Sequence, residues 1–243
     1  MNGKFLINGQ WLDQGRERTD VKNPATGEIV GSVPNGTKSD VNDAVEAAHN
    51  AFPDWSKRTV YERAALLEKL YAKMLEKKDE LARLMTLEMG KPLAESEGEV
   101  EYAANFVKWF AEEGKRAYGR IIPSHDATKR LHVIKQPVGV VAAITPWNFP
   151  AAMITRKLAP ALVAGCTFVL KPPTATPLTA LRLLELCQEV GIPDGVVNAV
   201  TGSGKDLGES LATHPHVAKI TFTGSTEVGR TLMAQGAETI KAM

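Results

Sequence analysis

The feature that most restricts the fold of this 243-residue chain is a regular alternation of apolar runs and helical patterns from position 138 onward. Val138-Gly139-Val140-Val141-Ala142-Ala143-Ile144 is apolar throughout, as a strand buried on both faces must be. Further runs of this kind recur at about 167–171, 196–200 and 218–222. Helical patterns at about 151–164, 178–190, 205–212 and 226–235 separate or follow them. Parallel strands need long crossovers, usually helices, so this order predicts an α/β fold: a Rossmann-like parallel sheet with helices on both faces. In such sheets ligands bind in the crevice outside the carboxyl ends of the strands. The strand-to-helix turns are therefore the places to look for function.

The first half of the chain reads differently. Phe5-Leu6-Ile7 and Gln10-Trp11-Leu12 flank Asn8-Gly9, a hairpin signal because type I′ turns need φ > 0 at both positions. Asn23-Pro24-Ala25-Thr26-Gly27 is a second turn, and Ile29-Val30 a short extended piece after it. From Ser39 the period changes: Val41, Ala44, Val45, Ala48 and Phe52 fall at helical spacing. Thr59 with Glu62 makes a capping box that opens a helix through Leu66, Leu67 and Leu70. A further helix ends near Gly90, and Pro92 begins another that runs towards Gly114. The many Lys and Glu on these helices read as a solvated face. Residues 117–137 leave this pattern: Tyr118-Gly119-Arg120, a polar patch, then Arg130 to Gln136 predict a hairpin standing off the body. There is no internal repeat and no low-complexity segment.

Composition excludes several functions. Hydrophobic content of 44%, charged content of 23% and a net charge of +1 give no case for nucleic acid or an anionic membrane as partner. No apolar stretch is long enough to cross a bilayer, and the N-terminus lacks a signal-peptide pattern, so a cytoplasmic protein is expected. Two cysteines make no disulfide framework, and Cys166 and Cys187 read as small buried hydrophobes. His214-Pro215-His216 invites a metal reading but, lacking a Cys or carboxylate cluster at ligand spacing, reads as a loop before a strand. Glu238-Thr239-Ile240-Lys241 reads as the start of another strand with no room to finish, which predicts a truncated domain.

Four turns carry the chemistry. Thr145-Pro146-Trp147-Asn148-Phe149-Pro150 follows the first strand, its prolines stiffening a turn that holds one side-chain amide. An amide fixed there can donate to a developing oxyanion; the alternative is a Pro-bracketed turn with Trp147 packing down. Lys171-Pro172-Pro173-Thr174 follows the second strand, and Gly202-Ser203-Gly204-Lys205-Asp206-Leu207-Gly208 the third. The latter misses the P-loop pattern, since Lys205 is followed by Asp206. Phe222-Thr223-Gly224-Ser225-Thr226-Glu227-Val228-Gly229 follows the fourth, and its helix start presents free N–H groups to an anion, although Ser225 can equally be a helix cap. Together the last three turns make a crevice suited to a phosphorylated ligand.

These turns resemble the aldehyde dehydrogenase superfamily: Thr145 to Pro150, Lys171-Pro172, Gly204 with Gly208, and Phe222 to Ser225 occur in its order and spacing. Asn8-Gly9-Gln10-Trp11 and Asn23 to Gly27 resemble its N-terminal segment. Within the superfamily, Met153-Ile154-Thr155-Arg156-Lys157 and Ala164-Gly165-Cys166-Thr167 are most similar to succinate-semialdehyde dehydrogenases. The resemblance implies an NAD(P)-binding domain at 1–116 and 138–243, incomplete at its C-terminus. It also implies an oligomerisation-type hairpin at 117–137 and an absent catalytic domain. It implies oxidation of a small aldehyde, succinate semialdehyde, with NADP or NAD, and a homo-oligomer for the full-length family. By the same resemblance, Asn148 is the oxyanion donor, while the Ile144 carbonyl and Trp147 backbone line the cofactor site. Lys171 reaches the adenosine ribose, and Gly204 and Gly208 admit the adenine. Thr223, Gly224, Ser225 and the helix behind them, with Val228, hold the pyrophosphate. Arg156 grips the distal carboxylate of the semialdehyde. Thr174 stands where many NAD-preferring members have glutamate, which leaves room for a 2′-phosphate, so acceptance of NADP is expected. The family's nucleophilic cysteine and general-base glutamate have no match, and neither Cys166 nor Cys187 fits the nucleophile's motif. The competing reading is a dinucleotide-binding fragment without catalytic activity.

Overall fold

A computed structural model describes residues 2–13 and 15–243. It begins with β1 (Phe5–Ile7) and β2 (Gln10–Leu12), paired antiparallel with Phe5 opposite Leu12. Asn8 and Gly9 both take positive φ, 49° and 77°, as the two-residue turn requires. Next, β3 (Arg18–Lys22) and β4 (Ile29–Pro34) form a separate antiparallel ribbon. That ribbon is longer than the Ile29-Val30 piece expected. Four helices follow: α1 (Lys38–Lys57), α2 (Val60–Glu76), α3 (Lys78–Met89) and α4 (Leu93–Gly114). The expected capping box opens α2, with Thr59 N–H donating to Glu62 Oε2 at 2.7 Å and Glu62 N–H to Thr59 Oγ1 at 3.3 Å. A ribbon of β5 (Arg120–Ile122) and β6 (Leu131–Val133) then stands exposed on the surface, where the sequence predicts a hairpin.

The alternating half runs β7 (Val140–Ile144), α5 (Ala152–Val163), β8 (Thr167–Lys171), α6 (Pro177–Glu189), β9 (Val197–Ala199), α7 (Gly204–Thr213), β10 (Val217–Phe222) and α8 (Thr226–Gly236). The strand expected from Val138 starts two residues later, because Gly139 has φ 121°, outside the strand region. The four strands are parallel in the order β10-β7-β8-β9, and β1 joins β9 antiparallel, carrying β2 to the far edge.

Period-two alternation builds two cores, one on each face of the sheet. Val140, Ala142 and Ile144 of β7 face one side, with Val169, Phe5, α1 and α7. Val141 and Ala143 face the other, with Phe168, Leu170, Leu6 and helices α2, α4, α5 and α6. Helices therefore cover both faces, as predicted.

One expectation is corrected. Glu238 to Lys241 is not a strand: Ala237–Thr239 form a 3₁₀ turn and Ile240 takes φ 51°. The chain reaches the sheet only at Ala242, which makes a single parallel bridge to Lys219 beside β10. The 3₁₀ turn continues α8 past Gly236, which shifts the extended piece towards the end. Among the described residues no helix is long and apolar enough to cross a membrane.

Candidate functional site

The turns named in the sequence lie together at the carboxyl ends of β7, β8, β9 and β10. Pairing of the parallel strands sets Ile144, Lys171 and Phe222 side by side, since Ile144 is opposite both Lys171 and Phe222. From Ile144 the carbonyl accepts the Thr223 N–H at 3.2 Å, which ties the first turn to the last.

The turn after β7 is clamped from the helical segment. Glu99 of α4 is buried and accepts the N–H of Ala151 at 2.9 Å and of Ala152 at 3.2 Å through Oε1. These are open donors at the start of α5, which no side chain of its own caps. The other oxygen of Glu99 pairs with Lys91, whose Nζ lies 4.4 Å from the centre of the Phe149 ring and donates to the Asn148 carbonyl at 3.3 Å. Trp147 is 55% exposed, so it does not pack down, and its carbonyl accepts from Thr176 Oγ1 at 3.4 Å. Asn148 is exposed, and among the described residues its side-chain amide has no hydrogen-bond partner. The result is a braced backbone presenting a free amide. Nothing in the sequence near Asn148 announces Lys91 or Glu99, which lie 57 and about 50 positions away.

At the end of β8, Lys171 is buried, and burial pushes its ammonium down to about 8. No carboxylate pairs with it among the described residues. A Cβ placed on Gly204 would stand 3.6 Å from Lys171 Nζ, so the lysine looks onto the start of α7. Gly204 and Gly208 both have only ordinary contacts at the position of an absent side chain, Gly208 against Ile144 and Leu232 at 3.8 Å. The strip between β8 and α7 is thus bordered by glycines that send no side chain into it and by Lys171, a cation without a carboxylate partner among the described residues. Thr174 is exposed and donates through Oγ1 to the Gly202 carbonyl at 3.3 Å.

After β10, Thr223 Oγ1 lies 2.6 Å from Lys157 Nζ, whose ammonium is pushed below its ordinary value by burial and by neighbouring Arg156. Gly224 is exposed, and a side chain there would strike the Phe222 ring at 2.5 Å. Ser225 caps α8, its Oγ accepting the Val228 N–H at 3.3 Å. Its capping role is therefore real, while Val228 stays exposed on the first turn of the helix.

Arg156 of α5 sits against a different surface. Its guanidinium carbon lies 4.6 Å from the Phe106 ring centre and 5.7 Å from that of Tyr102, and Nη2 donates to Tyr102 Oη at 3.0 Å. Its Nε is buried without a partner, and no carboxylate pairs with it among the described residues. Beside it a cavity of about 270 Å³ is lined by Tyr102, Asn105, Phe106, Trp109 and Phe110. A guanidinium held by aromatic faces, with no carboxylate partner among the described residues, has the chemistry to receive an anion. Sequence reading missed Tyr102 and Phe106, although their i, i+4 spacing on α4 was visible.

Both cysteines are buried, and burial pushes the Cys187 thiol up to about 12. His214 and His216 do stand before β10, but the fold brings Glu46 of α1 to them, a carboxylate that local spacing did not reveal.

Comparison with known proteins gives one consistent picture. The model of the aldehyde dehydrogenase family matches residues 11–243. Succinate-semialdehyde dehydrogenase [NADP(+)] GabD of Escherichia coli (strain K12) is 58% identical over 237 residues, which are 97% of this chain and 49% of that protein. Glutarate-semialdehyde dehydrogenase of Pseudomonas aeruginosa is 56% identical over 236 residues, again 97% and 49%. Among solved structures, an NADP-dependent enzyme of E. coli superposes with a TM-score of 0.97 at 57% identity, covering 99% of this chain and 50% of that one. Betaine aldehyde dehydrogenase from Staphylococcus aureus in complex with NAD+ superposes at 0.96 with 36% identity, covering 98% and 49%. The chain spans about half the length of the curated relatives it matches.

Proposed function

The chain belongs to the aldehyde dehydrogenase family, and from that we propose that it is the cofactor-binding portion of an NAD(P)-dependent enzyme oxidising a carboxylated aldehyde, succinate semialdehyde, to the acid. The supporting observation is the buried, unpaired Lys171 at the shared strand end, facing the glycine-opened start of α7.

A nicotinamide dinucleotide fits these residues, because the strip offers a cation without an anion and helix starts with open N–H groups. Lys171 and Thr174 would hold the adenosine ribose, the latter small and neutral enough to admit a 2′-phosphate. Gly204 and Gly208 would leave space for the adenine. Thr223, Gly224, Ser225 and Val228 at the start of α8 would hold the pyrophosphate, and Ile144 with the Trp147 backbone would border the nicotinamide end. When bound, the cofactor supplies the hydride acceptor. Asn148, braced through Lys91 and Glu99, would donate its amide to the aldehyde oxygen as negative charge develops there. Arg156 would receive the distal carboxylate, oriented by Tyr102 and Phe106. The NAD(P)-binding unit is assigned to 1–116 and 138–243, and the 117–137 hairpin to pairing between copies.

A second reading has its own support. The route that the family resemblance implies adds a thiolate to the aldehyde, and burial, which pushes the Cys187 thiol up to about 12, disfavours one there. Cys166 is buried too. The chain by itself is therefore proposed to bind the dinucleotide without turning over aldehyde. Incubation of the purified chain with succinate semialdehyde and NADP tests this: NADPH formation above a blank contradicts the incomplete-site reading. Saturable NADPH fluorescence change on titration supports the binding role.

A further inference from the structure

Where α1 passes the loop between α7 and β10, three side chains from distant parts of the chain converge. Glu46 offers a carboxylate oxygen, and His214 and His216 each a ring nitrogen, all within 4.8 Å of one another. His216 Nδ1 is 2.9 Å from Glu46 Oε1, and His214 Nε2 is 3.9 Å from the same oxygen. Ligands about 2.0–2.1 Å from a tetrahedral zinc ion stand roughly 3.3 Å apart, so these spacings bracket what such an ion needs. His49, one turn along α1 from Glu46, stacks on the His216 ring with centroids 4.0 Å apart and planes 15° from parallel. That stacking fixes the plane of one ligand ring before any ion arrives.

The surroundings select the kind of ion. Only Glu46 among the three carries negative charge, and Lys241 Nζ donates to the His214 carbonyl at 2.7 Å. A hard cation held by charge, such as Mg²⁺ or Ca²⁺, is poorly served, whereas imidazole suits Zn²⁺, Ni²⁺ and Cu²⁺. We propose that Glu46, His214 and His216 form a site for a borderline divalent transition cation that clips α1 to the loop feeding β10.

Starting from two neutral imidazoles, binding moves protons between ring nitrogens and releases none. The His216 Nδ1 proton that faces Glu46 moves to Nε2, and the freed lone pair takes the cation. His214 Nδ1 accepts the His216 N–H at 3.1 Å, and its Nε2 lies 3.3 Å from Asn42 Oδ1, so its proton rests on Nε2. Ligation through Nε2 moves that proton to Nδ1 and gives up the bond from His216 N–H. That loss, with only three protein ligands, points to a dissociation constant of about 10 µM rather than nanomolar.

The test is isothermal titration of ZnCl₂ into the purified chain after removal of any affinity tag, with MgCl₂ in parallel. The expected result is one Zn²⁺ per chain, no Mg²⁺ binding, and at least a tenfold weaker Zn²⁺ affinity in both His216→Ala and Glu46→Gln. Both side chains are 39% exposed, so these variants are expected to fold, and their far-ultraviolet circular dichroism should overlay that of the parent. Absence of Zn²⁺ binding at 1 mM (about a hundred times the expected constant) overturns the proposal. Equal affinity in parent and variants overturns it too, because the ion would then sit elsewhere.

Discussion

In the proposed function, Lys171 and Thr174 would decide which dinucleotide the strip accepts. Burial holds the Lys171 ammonium at about 8, so it is charged at neutral pH and loses its proton as pH rises through that value. Affinity for NADPH is therefore expected to weaken between pH 7 and 9.5 in fluorescence titrations, and to stay flat in Lys171→Met. At position 174 a carboxylate would repel a 2′-phosphate. Thr174→Glu is expected to reduce NADPH affinity about tenfold or more, a change of at least ~1.4 kcal/mol, while NADH affinity changes less. The strand ahead of both residues was legible as an apolar run, whereas the roles expected of them came from the family resemblance. The partners of Arg156 were not, since Tyr102 and Phe106 read as ordinary members of a helix face until α4 is seen packed against α5.

At the level of elements, two glutamates from the helical segment cap helices of the sheet. Glu99 serves α5, and Glu88 of α3 serves α6, accepting Leu178 N–H at 2.8 Å and Thr179 N–H at 2.7 Å. Glu99→Ala leaves buried donors unmet and Lys91 without its partner, and is expected to cost about 3 kcal/mol in urea denaturation. Glu88 has a pH consequence. Burial pushes its carboxyl from 4.5 up to about 7, against the pull of the N–H donors. Its folded value lies above its unfolded one, so its contribution is full below about 4.5 and is lost as pH rises through about 7. The loss is on the order of 3 kcal/mol, and Glu88→Gln is expected to flatten the fall in Tm between pH 5 and 8. Such caps escape sequence reading for a physical reason. Glu88 and Leu178 are 90 positions apart, and only the packing of α3 on α6 joins them. Local signals fared better: the Thr59–Glu62 box and the Asn8-Gly9 turn each depend on neighbours and were visible. Glu238 to Lys241 misled because α8 runs on into a 3₁₀ turn over Ala237–Thr239, which delays the extended piece to Ala242.

For the whole molecule, Ile121 in the β5–β6 ribbon is 75% exposed and Ile134 just past it 71%, and the ribbon's outer strand edges are unpaired among the described residues. Such an edge invites pairing with another chain. Sedimentation of Ile121→Lys is expected to show less self-association than the parent at equal concentration. The sheet and its crevice were readable from alternation alone, whereas the bracing of that crevice by α3 and α4 was a matter of tertiary packing. What the chain does rests on whether the crevice holds a dinucleotide through Lys171. Titration of NADPH fluorescence with the parent chain and Lys171→Met decides this. Saturable binding to the parent, weakened at least tenfold in the variant, is expected; no binding by the parent, or equal binding by both, would contradict it.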